Sequence, residues 1–171
     1  MRIEVLIGDI ANQQDIEAVV NSANANLRLG SGVAGAIHQA AGPELEKYCQ
    51  PFAPLALGKA ILTPAFNLPN KYVIHTRAGH YLFDDNAEVV LASCMASVFK
   101  LASDNQIRSV ALPAVGTGVF KFPPDLCASI MVNGLKAYIE SPFDLVRFCV
   151  VNTEMQSLFW DALDEHSLDY S

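Results

Sequence analysis

Basic side chains are scarce in this chain. Eleven lysines and arginines stand against eighteen aspartates and glutamates, for a formal net charge of −7 over 171 residues. Non-specific binding to nucleic acid or docking on an anionic membrane needs a basic surface, so both modes are excluded. A single anionic ligand is not, because backbone amides hold phosphate without basic side chains. Paired cysteines are missing as well. Cys49, Cys94, Cys127 and Cys149 form no C-x-x-C motif and sit in or near apolar stretches. They read as buried, reduced thiols, which leads us to expect a cytoplasmic protein. His38, His75, His80 and His166 lack the spacing of metal ligands, so no metal is expected. No apolar run is long enough to cross a membrane, and Met1-Arg2-Ile3-Glu4 does not open a signal peptide. Repeats and low-complexity segments are also absent.

What the chain has is core. At 51% hydrophobic and 17% charged residues, it reads as one folded domain over residues 1–171, with 169–171 as a frayed tail. Apolar runs at Arg2–Ile7, Ala18–Asn21, Gly58–Pro64, Lys71–Thr76, Ser109–Leu112 and Leu145–Val151 predict strands. Helical spacing marks Val33 to Ala40, Glu44 to Gln50, a stripe of Val90, Cys94, Val98 and Leu101, another from Cys127 to Tyr138, and a last from Met155 to Leu163. Alternation of the two predicts a three-layer α/β/α sandwich around a mixed, largely parallel sheet.

The richest stretch is Asn21–Gly42, NSANANLRLGSGVAGAIHQAAG. It leaves a strand, passes two asparagines, crosses very small residues and enters a helix. Backbone with so little side-chain bulk can be approached closely, and a helix N-terminus offers free N–H groups. A second such loop, Pro113-Ala114-Val115-Gly116-Thr117-Gly118-Val119-Phe120, also joins a strand to a helix. If the two strands are neighbours, the loops face each other and suit a diphosphate. Asp9 falls at the end of the first strand, where ligands of open α/β sheets bind, although from position alone an Asx turn or a cap leading into Asn12–Asp15 is the more ordinary explanation.

Three enzyme patterns fail. Gly30-x-Gly32-x-x-Gly35 matches the dinucleotide fingerprint in letters, but Ser22–Leu29 intervenes after the strand and no strand-ending acid follows. Gly58-Lys59 lacks the rest of a phosphate loop. Ser31 lacks the flanking glycines of a nucleophile elbow. No nucleophile or acid–base dyad stands out.

Gly8-Asp9-Ile10, Val20-Asn21-Ser22-Ala23-Asn24, Gly30 to Gly42, Tyr72-Val73-Ile74-His75 and Pro113 to Phe120 together resemble the macro domain, the ADP-ribose-binding module, in order and spacing over nearly the whole chain. The resemblance implies a site for ADP-ribose or a derivative, with ADP-ribosylated proteins as partners and no cofactor. It implies that Asp9, with Ile10 beside it, binds the adenine amino group. Asn24 would hold the distal ribose as the catalytic positioning group, with Asn21 supporting the loop. Amides of Gly32, Val33 and Ala34 would line one side of the diphosphate, with the Ser31 hydroxyl in reach. Amides of Gly116, Thr117, Gly118 and Val119 would line the other, and Phe120 would pack near the distal ribose. Val151 and Asn152 stand where many members place an aromatic residue on the adenine. Ala34 stands where one hydrolytic branch has an acid, while other members with alanine there use a phosphate-held water. Hydrolysis of an ester at the distal ribose is therefore the leading expectation. That ester would be O-acetyl-ADP-ribose or mono-ADP-ribosylated acidic side chains. A non-catalytic reader is the alternative, and a dinucleotide-dependent oxidoreductase the remote one.

Overall fold

The computed structural model describes residues 1–171. Strands β1 (Arg2–Ile7), β2 (Ala18–Ser22), β3 (Ala60–Pro64), β4 (Tyr72–Thr76), β5 (Ser109–Leu112) and β6 (Leu145–Val150) form one sheet in the order β1-β6-β5-β2-β4-β3. All neighbours are parallel except β3, which runs antiparallel to β4 at the edge. The expected mixed, largely parallel sheet is present. So is the neighbour relation that the two glycine loops required, because β2 pairs directly with β5 through Ala18–Val110 and Val19–Ala111.

Side chains alternate across a strand, and the alternation sorts the core into two faces. Ala18 and Val20 join Ile3, Val5, Val110, Leu112, Val146 and Phe148 under helices α3 (Ala87–Asp104), α4 (Pro124–Lys136) and α5 (Thr153–Glu165). Val19, Val73 and Ala111 lie on the other face under α1 (Gly32–Ala41) and α2 (Pro43–Cys49), which a short 3-10 turn, Gln50–Phe52, extends. β6 is buried at every position, as a parallel strand covered on both faces must be.

Several boundaries and stripes differ from the sequence expectation. In α3 the fully buried residues are Leu91, Cys94, Met95, Val98, Phe99 and Ala102, while Val90 and Leu101 are half-buried at the stripe's margins. The helix packs on the sheet and on α4 together, so its buried face is wider than one stripe. Where α3 and α4 cross, a Cβ on Gly134 would lie 2.7 Å from Met95 Cβ. Gly134→Ala should therefore cost about 1–3 kcal/mol by overpacking, read as a lower urea midpoint with an unchanged slope.

The last residues carry contacts of their own. Leu168 N–H donates to Leu163 O at 2.9 Å, Ser171 N–H donates to Ile3 O at 2.9 Å, and the Tyr170 ring stacks on Trp160 at 6.3 Å between centroids. The segment expected to fray lies against β1 through the Ser171 N–H and against α5 through the Tyr170 ring.

Candidate ligand-binding site

Because β1, β2, β5 and β6 run the same way, their carboxyl ends open on one edge of the sheet, and the loops that follow them build one cavity there. The first wall is the segment 23–31. It is pinned at several points. Asn24 Oδ1 accepts from Arg28 N–H at 3.0 Å while its Nδ2 donates to Arg28 O at 2.7 Å. Glu46 on α2 accepts the Leu29 N–H at 3.0 Å. Leu27, fully buried, holds a left-handed conformation at φ 55. Gly35 then lets the Gly30 carbonyl settle against α1, where a Cβ would lie 2.5 Å from the oxygen. Ser31 caps α1 by backbone alone and its hydroxyl makes no capping bond. The N–H groups of Gly32, Val33 and Ala34 have no protein acceptor, and the first turn has no acidic residue. This helix end is therefore a positive partial charge aimed at the cavity.

The opposite wall follows β5. Gly116 takes φ 84, and the turn closes through Phe122 N–H to Gly116 O at 3.0 Å and Lys121 N–H to Gly118 O at 3.1 Å. The N–H groups of Gly116, Gly118, Val119 and Phe120 are left without protein acceptors. Thr117 differs from expectation. Its N–H and hydroxyl both donate to Ala114 O, at 3.3 and 2.7 Å, so it shapes the turn rather than offering an amide.

Between the walls lies a cavity of about 500 Å³, the volume range of a nucleotide-sized ligand. Of the residues that the sequence placed at the site, Asp9, Ile10, Ser31, Gly32, Val33, Gly116, Thr117, Gly118, Val119, Phe120 and Val151 line it. Gly8, Ser22, Ala36, Ala114 and Met155 line it too. Met155 was legible only as a core residue of the last helix. It is at the core margin and the cavity wall at once.

Asn21, Asn24, Ala34 and Asn152 are not on that wall. Asn21 is fully buried on Val19's face of the sheet, with Nδ2 3.0 Å from His75 Nδ1. Its role is internal: it fixes the end of β2 from beneath. The Asn24 amide braces its own loop, as above. Ala34 is buried in α1 and contributes its N–H but no side chain. Asn152 caps α5, its Oδ1 accepting from Met155 N–H at 2.8 Å.

Asp9 forms the expected turn and also faces the cavity. Its Oδ1 closes an Asx turn with Ala11 N–H at 2.9 Å, and it lines the cavity. Its backbone is held from a distance. Gln13 Nε2 donates to Asp9 O at 2.8 Å, and Gln13 Oε1 accepts from Arg147 Nη1 at 2.9 Å. Arg147, buried in the middle of β6, also reaches Glu4 at 2.8 Å and both oxygens of Asp15 at 2.7 Å. Its hydrogen bonds hold the Asp15 carboxyl down at about 2. Such a planar fork suits bidentate pairing inside a protein. None of this network was visible in the sequence, since its partners lie far apart in the chain.

The wall offers no activated nucleophile, since no histidine, lysine or cysteine lines it beside the hydroxyls of Ser22, Ser31 and Thr117. Cys149, in an adjoining recess of about 80 Å³, is pushed up to about 11 by burial, so it is not a thiolate at neutral pH. Asp9 is the one ionisable side chain lining the main cavity. No group of His, Cys, Asp and Glu side chains could hold a metal ion, and no helix is long and apolar enough to cross a membrane.

Fold and site together define an α/β/α domain with an amide-lined cleft at the carboxyl edge of its sheet. The macro domain family model matches residues 20–131. A macro domain-containing protein of Lactiplantibacillus plantarum is 36% identical, covering 95% of this chain and 96% of its own. The ADP-ribose glycohydrolase MACROD2 of Xenopus laevis is 38% identical over 84% of this chain and 35% of its own. Among solved structures, the Oceanobacillus iheyensis macrodomain with ADP superposes with a TM-score of 0.91 at 31% identity, covering 96% of this chain and 91% of that one. The Trypanosoma brucei macrodomain in complex with ADP-ribose gives 0.86 at 29% identity, covering 95% and 69%. This chain belongs to the macro domain family.

Proposed function

We propose that this chain binds ADP-ribose or a derivative in the cavity between α1 and the Gly116–Phe120 loop, and hydrolyses an ester at the distal ribose. The observation that carries the reading is the pair of facing walls of unpartnered N–H groups, Gly32 to Ala34 on one side and Gly116, Gly118, Val119 and Phe120 on the other. They match a diphosphate, whose charge is held by fixed dipoles without a cation. Asp9 and Ile10 then lie at the adenine end, where the carboxylate accepts from the amino group. Val151 and Met155 supply soft apolar surface there in place of an aromatic ring. Phe120 closes the distal end.

For hydrolysis, the wall supplies position rather than a base. Ala34 leaves no carboxylate at the front of α1, so the attacking water is held by a substrate phosphate. Its oxygen adds to the acyl carbon, the bond to the ribose oxygen breaks, and that oxygen leaves as a hydroxyl. Free amides steady the charge that develops, and the braced loop fixes the ribose. Asn24 retains one N–H and one acceptor lone pair beyond its bonds to Arg28, enough to meet a ribose hydroxyl.

Calorimetry with ADP-ribose, with NAD as comparison, tests binding. Saturable binding is expected, and silence at millimolar ligand would end the reading. Asp9→Ala should weaken ADP-ribose by about 1–3 kcal/mol, and an unchanged affinity removes Asp9 from the site. Release of ADP-ribose from a protein modified on acidic side chains separates hydrolase from reader. Release at the background rate, with binding intact, leaves a reader. The same small side chain at position 34 favours that second reading.

A further inference from the structure

The segment that follows β4 is the most exposed apolar feature of the molecule, and nothing above uses it. Leu82 is 68% exposed and Phe83 82% exposed. They are not on a loose loop. His80 N–H donates to Asp84 Oδ2 at 2.7 Å, Leu82 N–H to His80 Nδ1 at 3.2 Å, and Asp84 N–H to His80 O at 2.9 Å. The His80 ring lies 4.4 Å from the Phe83 ring, and Tyr81 is set edge-on against the buried Phe122. A turn held this firmly presents its two apolar side chains to solvent by construction. Leaving them there is unfavourable without a partner.

The turn is also continuous with the cavity. Tyr81 N–H donates to Phe120 O at 2.8 Å, which lays residues 80–83 beside the cavity residue that closes its distal end. Val119, the neighbour of Phe120 on the wall, is itself 61% exposed. Carboxylates of Asp84, Asp85 and Glu88 flank the apolar pair.

We infer that Leu82, Phe83 and Val119 form the contact surface for the polypeptide that carries an ADP-ribosyl group, reading apolar and basic residues beside the modified side chain. The inference rests on the ADP-ribose reading above and deepens it. A ligand anchored by its diphosphate emerges past Phe120 at its distal ribose. Whatever is attached there lies along Val119 and the 80–83 turn. A small acyl group does not reach the turn, whereas a peptide does. Apolar side chains at the attachment site would cover Leu82 and Phe83, and basic ones would meet the acidic flank. The surface therefore sorts substrates by size and sequence, with polypeptides favoured over free nucleotide esters.

The test uses the full chain and a short peptide bearing ADP-ribose through a non-hydrolysable linkage. One version carries leucine and lysine beside the attachment, and the other carries glycine and serine. Free ADP-ribose is the third ligand. The leucine–lysine peptide should bind about tenfold tighter than the glycine–serine peptide or free ADP-ribose. In a Leu82→Ser, Phe83→Ser variant the leucine–lysine peptide should lose most of that advantage, with the affinity for free ADP-ribose unchanged. That unchanged affinity also shows that the variant is folded. Equal binding of all three ligands by the unaltered chain overturns the surface but leaves the ADP-ribose reading intact. Failure of free ADP-ribose to bind overturns both. Concentration-dependent dimers that the double substitution abolishes, without discrimination between peptides, would assign the patch to a second copy of this chain and overturn the proposal.

Discussion

Gly118→Glu should abolish ADP-ribose binding and leave unfolding unchanged. The structure separates the two effects cleanly. A Cβ at Gly118 would meet nothing within 4 Å, and its backbone does not need the left-handed region. The fold therefore accepts a side chain there, and stability should move by no more than about 0.5 kcal/mol. The cavity does not accept it. The carboxylate would stand among the free amides of Gly116, Val119 and Phe120 and claim them for itself. It would also sit about 4 Å from a diphosphate, where like charges repel by roughly 4 kcal/mol near a protein surface. That is about a thousandfold in affinity. Gly118→Ala is the companion variant and should bind. Calorimetry reads both. Tight binding by Gly118→Glu would mean that the loop after β5 is not the phosphate wall.

Acid should destabilise this protein early, well above the pH at which its carboxylates protonate. His75 in β4 is fully buried. Its Nδ1 accepts from Asn21 Nδ2 at 3.0 Å, and its Nε2–H donates to Thr63 Oγ1 at 3.0 Å, which in turn donates to Pro64 O. Both ring nitrogens are thus assigned, and the ring is neutral. Burial, with a smaller contribution from His38 at 6.2 Å between rings, pushes it down to about 3. In the unfolded chain it titrates near its ordinary value of about 6.5. Between those two values the unfolded state binds a proton that the native state refuses. Stability therefore rises with pH through this window and is lost as pH falls from about 6.5 towards 3. The loss is about 1.4 kcal/mol per pH unit, or roughly 3 kcal/mol by pH 4. Burial lowers His38 in the same sense and adds to the slope. Asp15 adds only below about pH 4, since its stabilisation is lost as pH falls towards 2. Urea unfolding from pH 8 to pH 4 measures this. His75→Gln keeps one donor and one acceptor without titrating, and it should flatten the curve. An equally steep curve in that variant would clear His75 of the effect.

Much of the fold was legible because it is local. Apolar runs of strand length and helical stripes follow from near neighbours in the chain, and Ser109–Leu112 emerged with its observed bounds. The two glycine loops were legible for the same reason. The asparagines were harder. Asn21 shares Val19's face by simple alternation, which puts it beneath α1, and its expected part in supporting the loop is played from inside the sheet, against His75. Asn24 looked like a free amide because its partner is backbone, which carries no letter in a sequence. Arg147 was missed for a different cause. Inside an apolar strand it reads as an anomaly, and its explanation lies across the sheet at Glu4 and in the loop at Gln13 and Asp15. The C-terminal residues were underrated because the stacking of Tyr170 on Trp160 cannot be seen along the chain.

The glycines of Gly30-x-Gly32-x-x-Gly35 spell a dinucleotide fingerprint, yet they answer to different demands here: Gly32 meets nothing within 4 Å but holds a left-handed φ of 58. Gly35 makes room for the carbonyl of Gly30, a demand of the fold itself. Gly118 makes room for nothing in the protein, and on the proposed reading it is the ligand that needs the space. The two positions should diverge over evolutionary time. In a lineage that has abandoned its ligand, position 118 is free to drift, while position 35 stays glycine as long as the chain folds. Variation confined to the second loop would then mark descendants that have kept the architecture and lost the trade.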